Sequence, residues 1–205
     1  MKPKVKVLVK GHIKLSDDSH GRGWSTTVLI DDGENKIIVD PGTVESHDII
    51  HKALEQENLS VNDITHVIIT HSHLDHYRNL GMFPEAIAVD IWGYWIKDRA
   101  ELVEWPETYS RFEPSFSQDI HIVRTPGHDD SSLTVFVDGE TTLDGKQTSG
   151  IIAICGDVFW KKDFPSLEDE PFATDTTVLK QSRKLVLDNS DYIIPGHDDM
   201  FVANP

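Results

Sequence analysis

The stretch HSHLDH, residues 71–76, contains three histidines and one aspartate within six positions. It directly follows the apolar run HVIIT at 66–70, whose β-branched composition is typical of a buried strand. His71 and His73 are separated by one residue, so an extended or turning backbone can direct both imidazoles to one point. Asp75 and His76 follow where a helix is predicted to begin. Because imidazole and carboxylate groups are ligands for Zn, Fe and Mn, the stretch predicts a metal site.

Four such groups in one segment exceed what a single tetrahedral ion needs from local sequence, and this excess predicts two ions. A second ion requires ligands from elsewhere in the chain. Three further side chains share the context of the first cluster, an apolar strand-like run that ends in a polar turn. They are His128 in IVRTPGHDD, Asp157 in IIAICGDVF and His197 in YIIPGHDDM. Taken singly each fits an ordinary turn, but together with the cluster they predict a shared site.

The pattern of the surrounding sequence predicts strands in two runs, with helices over 45–58 and 175–189. Thr174 or Asp175 is the predicted N-cap of the second helix. This order indicates two sheets with helices outside, although an ordinary layered α/β fold has the same alternation. A glycine-rich polar segment at 11–24 is predicted to form a mobile flap. The predicted strands lie at 4–10, 25–32, 35–40, 65–70, 86–92, 120–125, 131–138, 150–157 and 191–195.

Composition limits the classes of protein that the chain can represent. The 205 residues fit one compact domain, 1–205. Cys155 is the only cysteine, so intramolecular disulfides and thiolate metal clusters are excluded. No apolar run approaches the roughly 20 residues that cross a bilayer, and we therefore expect a cytoplasmic protein without membrane contact. The formal charge of −16 repels nucleic acid at long range, so a nucleic-acid substrate requires a local positive site.

Each of the other candidate residues has both a functional and an ordinary structural interpretation. His47 and His51 lie four apart on a predicted helix, where a solvated face is the simpler interpretation. The aromatic stretch 92–116 could stack a substrate or pack over a sheet edge. The remaining candidates are histidines of the flap, histidines at strand starts and basic pairs that could contact phosphate or form surface ion pairs, namely His12, His20, His66, His121, Lys161, Lys162, Arg183 and Lys184.

The order HxHxDH, histidine, aspartate, histidine resembles the metallo-β-lactamase-fold superfamily. The resemblance spans residues 40–197 and implies an α/β (α+β) protein built as a four-layer αββα sandwich. It implies that His71, His73 and His128 hold one metal ion, that Asp75, His76 and His197 hold a second, and that Asp157 bridges the two. Asp40 in IIVDPGT matches the aspartate that orients the ligands in this family.

Within the superfamily, NLGMFP, CGDVFW and QSRKLVLDNSDYIIPGH resemble the subgroup of metallo-β-lactamase domain-containing protein 1, whose animal members are ribonucleases. The run GHDDSS departs from the GHTPGS-like run of glyoxalase II and many lactonases. We therefore expect a hydrolase that uses two zinc ions and a metal-bridging hydroxide, with Asp75 as the catalytic carboxylate that orients the nucleophile or accepts its proton. Iron and manganese are the alternative metals.

The expected substrate is anionic, with RNA or single-stranded DNA ahead of a small acyl compound such as a lactone, ester, thioester or β-lactam. An iron-dependent oxidoreductase that resembles persulfide dioxygenases is the second class of function, and a non-catalytic scaffold is a third. The sequence leaves the oligomeric state open, a dimer included.

Overall fold

The computed structural model describes residues 2–16, 21–104, 116–167 and 170–203. Strands dominate these ranges. They are β1 (Lys4–Val9), β2 (His12–Leu15), β3 (Gly21–Trp24), β4 (Thr27–Asp31), β5 (Lys36–Val39), β6 (His66–Ile68), β7 (Ile87–Asp90), β8 (Gly93–Ile96), β9 (Arg99–Leu102), β10 (Ile120–Arg124), β11 (Leu133–Leu143), β12 (Lys146–Ile154), β13 (Tyr192–Ile194) and β14 (Phe201–Val202). The α-helices are α1 (Asp48–Glu55), α2 (Leu74–Tyr77) and α3 (Thr176–Asp188), and 3-10 turns lie at Val61–Asp63, Leu80–Met82 and Gly156–Val158.

The strands form an N-terminal sheet and a C-terminal sheet. The N-terminal sheet has the order β1-β4-β5-β6-β7-β8-β9, and the C-terminal sheet has the order β14-β13-β12-β11-β10. The two sheets are continuous at one point, where Lys4 of β1 pairs with Glu140 of β11 in parallel. Strands β2 and β3 form a separate antiparallel hairpin.

Alternation of side chains along the strands creates a core between the two sheets. Ile37 and Val39 of β5 lie in the same buried cluster as Val135 and Val137 of β11. Because successive side chains of a strand point to opposite faces, the residues between them point away from this cluster. The central core therefore joins the inner faces of both sheets.

The outer faces of the sheets are covered by helices. Ile38 packs with Ile50 and Leu54 of α1, and Phe136 packs with Leu179 and Val186 of α3. These contacts define the layer order α1, N-terminal sheet, C-terminal sheet, α3, which confirms the αββα sandwich.

Both long helices lie where the sequence predicts them, but each is shorter than predicted. Helix α1 covers only part of 45–58. Helix α3 begins after Asp175, whose side chain accepts hydrogen bonds from the backbone N–H groups of Thr177 and Val178, as expected of an N-cap. Among the described residues, no helix is both long and apolar enough to cross a membrane.

One segment differs from its prediction, and a second follows one of its two alternatives. The predicted mobile flap 11–24 contains the antiparallel strands β2 and β3, in which His12 pairs with Trp24 and Lys14 pairs with Arg22. Positions 17–20 lie outside the described residues. The aromatic stretch 92–116 adds β8 and β9 to the sheet edge, where Trp92 and Trp95 are exposed, and positions 105–115 also lie outside the described ranges.

Strand direction places the polar turns at one edge of the sandwich. Strands β5 and β6 are parallel, as are β12 and β13, and β10 runs in the direction of β12 because both are antiparallel to β11. The carboxyl ends of these strands therefore lie together within each sheet, and the segments that follow them carry the predicted site residues, which the two sheets bring close to one another.

Cys155 provides a test of the core around α3. It is 1% exposed, and burial raises the pKa of its thiol to about 12. Since thiolate is the reactive form, we expect a chromogenic disulfide reagent to leave the folded protein unmodified at about pH 8, and to modify one thiol per chain after denaturation. Rapid modification without denaturant would contradict this packing.

Candidate metal centre

The structure brings the seven predicted ligands together in two adjoining groups. His71, His73, His128 and Asp157 form one group, and Asp75, His76 and His197 form the other. Within each group, one potential ligand atom per residue lies within 4.8 Å of all the others. These residues follow β6, β10, β12 and β13, so strands of both sheets contribute to one site.

The first group presents ring nitrogens to a common point. Nδ1 of His73 lies 3.0 Å from Nε2 of His71 and 3.0 Å from Nε2 of His128. The Oδ2 atom of Asp157 lies 3.5 Å from the same His128 nitrogen. Three imidazole nitrogens and a carboxylate oxygen are a donor set that zinc accepts.

The second group surrounds the other oxygen of Asp157. Its Oδ1 atom lies 3.3 Å from Nε2 of His76 and 3.3 Å from Nε2 of His197. The Oδ2 atom of Asp75 lies 3.5 Å from that His197 nitrogen. The Oδ2 atom of Asp157 also lies 3.3 Å from Nε2 of His197, so this carboxylate lies between the groups and contacts imidazoles of both.

Unpaired polar atoms test whether this donor set fits metal ions. Nε2 of His76 and Oδ1 of Asp157 are buried, and although they lie 3.3 Å apart, neither forms an aligned hydrogen bond with a described group. Buried polar groups are normally paired, and exceptions indicate a functional requirement such as an ion. The residues present thus fit divalent cations with nitrogen and oxygen ligands.

Asp40 orients two of the histidines. Its carboxylate accepts hydrogen bonds from the backbone N–H of Thr70, at 2.8 Å, and from the Thr70 hydroxyl, at 2.6 Å. Nδ1 of His76 lies 2.7 Å from the same carboxylate, and Nδ1 of His71 lies 3.1 Å from the Thr70 hydroxyl. Because Nδ1 of each ring has an oxygen partner, Nε2 is left for the ion.

A backbone carbonyl of the hairpin β2–β3 orients a third histidine. Nδ1 of His197 lies 3.0 Å from the carbonyl oxygen of Trp24, which directs Nε2 towards Asp157. The segment 11–24, predicted as a flap, therefore supports a candidate ligand directly.

Burial and neighbouring charges set the protonation of the cluster. Burial lowers the pKa of His71 well below its ordinary value and also lowers the pKa of His73. Both rings are therefore neutral near pH 7, which is the form that binds metal. Burial also opposes charge on His76, but the carboxylates of Asp157 and Asp40 raise its pKa well above the ordinary value. Burial would raise the pKa of Asp157, but the two adjacent imidazoles lower it well below the usual range.

A cleft of about 320 Å³ opens over the second group. Its polar residues belong to the cluster, and its apolar lining consists of Ile13, Leu74, Trp160 and Phe172, of which Leu74 and Phe172 are exposed and form the rim. Among the described residues that line it, none is Lys or Arg.

A larger groove of about 700 Å³ lies beside His71. Tyr77, Trp92 and Arg124 contribute to its lining. Part of the aromatic stretch 92–116 is therefore near the cluster, as a stacking role would require.

The structure separates the other candidates from this site. His47 and His51 are exposed, and His12 lies against Trp24 in the hairpin. Arg183, predicted as a surface residue, instead turns inward to the buried carboxylate of Glu170. Sequence reasoning did not single out Trp24, Trp160 or Glu170. His20 lies outside the described residues.

The fold and the site define a metal-dependent hydrolase. A family model described as the metallo-beta-lactamase superfamily matches residues 20–197. The chain therefore belongs to the metallo-beta-lactamase superfamily.

Individual relatives agree with this assignment. Metallo-beta-lactamase domain-containing protein 1 of Xenopus laevis is 29% identical over 96% of this chain and 80% of its own length. A probable metallo-hydrolase of Methanocaldococcus jannaschii is 34% identical over 48% of this chain and 45% of its own length. A crystal structure from Thermotoga maritima, classed with the metallo-beta-lactamases, superimposes with a TM-score of 0.70 and 20% identity over 98% of this chain and 100% of the other.

Gly196 offers a test of the position of Asp157. A Cβ atom at Gly196 would overlap Oδ1 of Asp157, the end of a side chain, and would lie 3.1 Å from the backbone carbonyl carbon of Gly156. We expect Gly196→Ala to fold but to bind zinc more weakly. Loss of a residue that orients a ligand costs about 10–100-fold in metal affinity, and displacement of the ligand itself should cost at least as much. Gly81→Ala is the matched control, because a Cβ atom there meets nothing within 4 Å. Equal zinc content in the two variants, measured by mass spectrometry after dialysis, would contradict the geometry.

Proposed function

We propose that the protein is a hydrolase that works with two zinc ions, and that the seven clustered residues are their ligands. His71, His73 and His128 would hold one ion, and Asp75, His76 and His197 the other. The observation that carries the proposal is the position of Asp157, whose buried carboxylate contacts imidazoles of both groups. Iron and manganese are the alternative metals, because they accept the same ligand types.

Bound divalent ions would supply Lewis acidity and a hydroxide nucleophile at about pH 7. The chain itself supplies the group that moves protons. Asp75 is the carboxylate of the cluster that solvent reaches, since its side chain is 31% exposed and that of Asp157 is 4% exposed. Asp75 would therefore accept the proton of the nucleophile and return a proton to the leaving group. Asp40 and Thr70 keep the ligands oriented during this step.

The side chains that line the cleft would repel an anionic substrate, and bound metal ions would reverse this charge. The described lining contains Asp75 and Asp157 without Lys or Arg. Two dications against these carboxylates and a hydroxide leave about +1 at the cleft. This local charge would attract a phosphodiester or carboxylate although the whole chain carries −16.

We propose RNA or single-stranded DNA as the first substrate class. Phe172 is 53% exposed at the rim of the cleft, and Trp92 is 65% exposed in the larger groove. Exposed aromatic rings stack on nucleobases without sequence preference. Arg124 in the same groove could contact a backbone phosphate.

A small acyl compound is the second candidate class. The apolar side chains of Ile13, Leu74 and Phe172, with no cation in the described lining of the cleft, favour a substrate with an apolar group beside the scissile bond. A lactone, ester, thioester or β-lactam meets this requirement.

A hydrolysis panel with the zinc-loaded protein separates these candidates. It contains single-stranded RNA and DNA, a chromogenic phosphodiester, lactones, thioesters and a chromogenic cephalosporin. We expect the zinc-loaded protein to cleave the phosphodiesters. We expect the iron-loaded protein to consume no oxygen in an oxygen electrode. Turnover of acyl substrates alone would overturn the nuclease assignment, and one iron per chain with oxygen consumption would overturn the hydrolytic one.

Asp75→Asn tests the proposed proton transfer within this panel. We expect kcat to fall by roughly 100- to 10,000-fold, the usual contribution of a general acid or base. Asp144→Asn is the control, because Asp144 is exposed in the turn between β11 and β12 and Asn tolerates its left-handed backbone. An Asp75→Asn variant as active as this control would exclude Asp75 from the reaction.

A further inference from the structure

Glu170 is a buried carboxylate next to a candidate metal ligand. Its side chain is 0% exposed, and it lies in the segment that connects the Gly156–Val158 turn to α3. Its Oε1 atom is 3.3 Å from Nδ1 of His128, whose side chain is also 0% exposed. A buried glutamate is uncommon unless it is paired.

Glu170 contacts His128 on the side of the imidazole ring that faces away from the candidate ion site. Nε2 of His128 points to His73 and Asp157, whereas Nδ1 points to Glu170. Neither Nδ1 nor Oε1 forms an aligned hydrogen bond with any other described group. A small rotation of either side chain would align the two, and each would then satisfy the other.

We propose that Glu170 is a positioning residue for His128. Its carboxylate accepts a hydrogen bond from the Nδ1–H group of the imidazole, which keeps the proton on Nδ1 and leaves the Nε2 lone pair for the ion. The negative charge of Glu170 also makes Nε2 a stronger electron-pair donor to the ion, as carboxylates do for histidine ligands of zinc. This inference rests on the proposed function, because it assigns His128 to the ion held with His71 and His73.

Arg183 holds Glu170 in place. Nη2 of Arg183 lies 3.3 Å from Oε2 of Glu170, the oxygen that does not face His128. Nε and Nη1 of Arg183 donate hydrogen bonds to the backbone carbonyls of Val158, at 2.8 Å, and Pro165, at 3.2 Å. Helix α3 is therefore connected through one guanidinium to the turn that carries Asp157 and, through Glu170, to His128.

The alternative role for Glu170 is purely structural, as the ion-pair partner of Arg183. The two roles differ in which ion they affect. A positioning role predicts a loss confined to the ion held by His71, His73 and His128. A structural role predicts a loss at both ions, with a matching fall in thermal stability.

Glu170→Gln is the main test, since it preserves size and can still accept a hydrogen bond from Arg183. Glu170→Ala removes both functions of the carboxylate. Binding of two zinc ions would be measured by competition with a chromophoric chelator, and ¹¹³Cd NMR would give one signal for each site. Glu140→Gln, in β11 and hydrogen-bonded to Gln147, is the control for the charge change.

We expect Glu170→Ala to weaken one of the two sites by about 10–100-fold, with Glu170→Gln intermediate. One ¹¹³Cd signal should shift and the other should stay in place. Unchanged affinities and signals in both variants, or equal weakening of both sites, would overturn the positioning role. Failure of the wild-type protein to bind two ions would instead reject the proposed function.

Should Glu170→Ala fail to fold, the wild-type protein still provides a test. In ¹⁵N NMR of the cadmium-loaded protein, we expect His128 to carry its proton on Nδ1 and to couple to cadmium through Nε2. Coupling through Nδ1 would contradict the proposed orientation.

Discussion

The carboxylate of Asp157 is the group on which the arrangement of the site depends. It is buried, its Oδ2 atom lies 3.5 Å from Nε2 of His128 and 3.3 Å from Nε2 of His197, and its Oδ1 atom lies 3.3 Å from Nε2 of His76. Removing a charge from water is costly unless opposite charge compensates it. The neighbouring imidazoles lower the pKa of Asp157 well below its usual range, so the carboxylate stays ionised between them. Divalent cations at the same positions would provide stronger compensation, which links the fold of this edge to metal binding.

The sandwich makes this arrangement available because strands of both sheets end at one edge. The turn after β12 carries Asp157, the segment after β6 carries His71 and His73, and the hydrogen bonds of Asp40 connect β5 to the same place. The glycine next to His197 keeps free the space that the Asp157 carboxylate occupies. The helices α1 and α3 contribute by covering the outer faces, and α3 also sends Arg183 back to the segment that surrounds the site.

The clustering of seven side chains could be predicted because its signal is local, whereas the αββα order followed from the resemblance to the superfamily, since the alternation of strands and helices also fitted an ordinary layered α/β fold. Alternating apolar residues mark the strands, and each candidate ligand follows directly after such a run. Residues that reach the site only through tertiary packing leave no comparable signal in the sequence. Glu170 lies in the acidic run LEDEP, where nothing distinguishes it from an exposed carboxylate, and its burial depends on packing of α3 against the turn after β12. The hairpin β2–β3 was missed because its arms are only four residues long, GRGW lacks the alternating apolar pattern of a strand, and the contact of the hairpin with His197 through the Trp24 carbonyl is long-range.

Anomalous X-ray scattering at the zinc edge, from crystals grown with added zinc, tests the central claim most directly. We predict two peaks about 3.5–4 Å apart, one beside His71, His73 and His128, the other beside Asp75, His76 and His197, with Asp157 between them. A single peak, or an absence of peaks at these side chains in fully zinc-exchanged crystals, would contradict a two-metal centre.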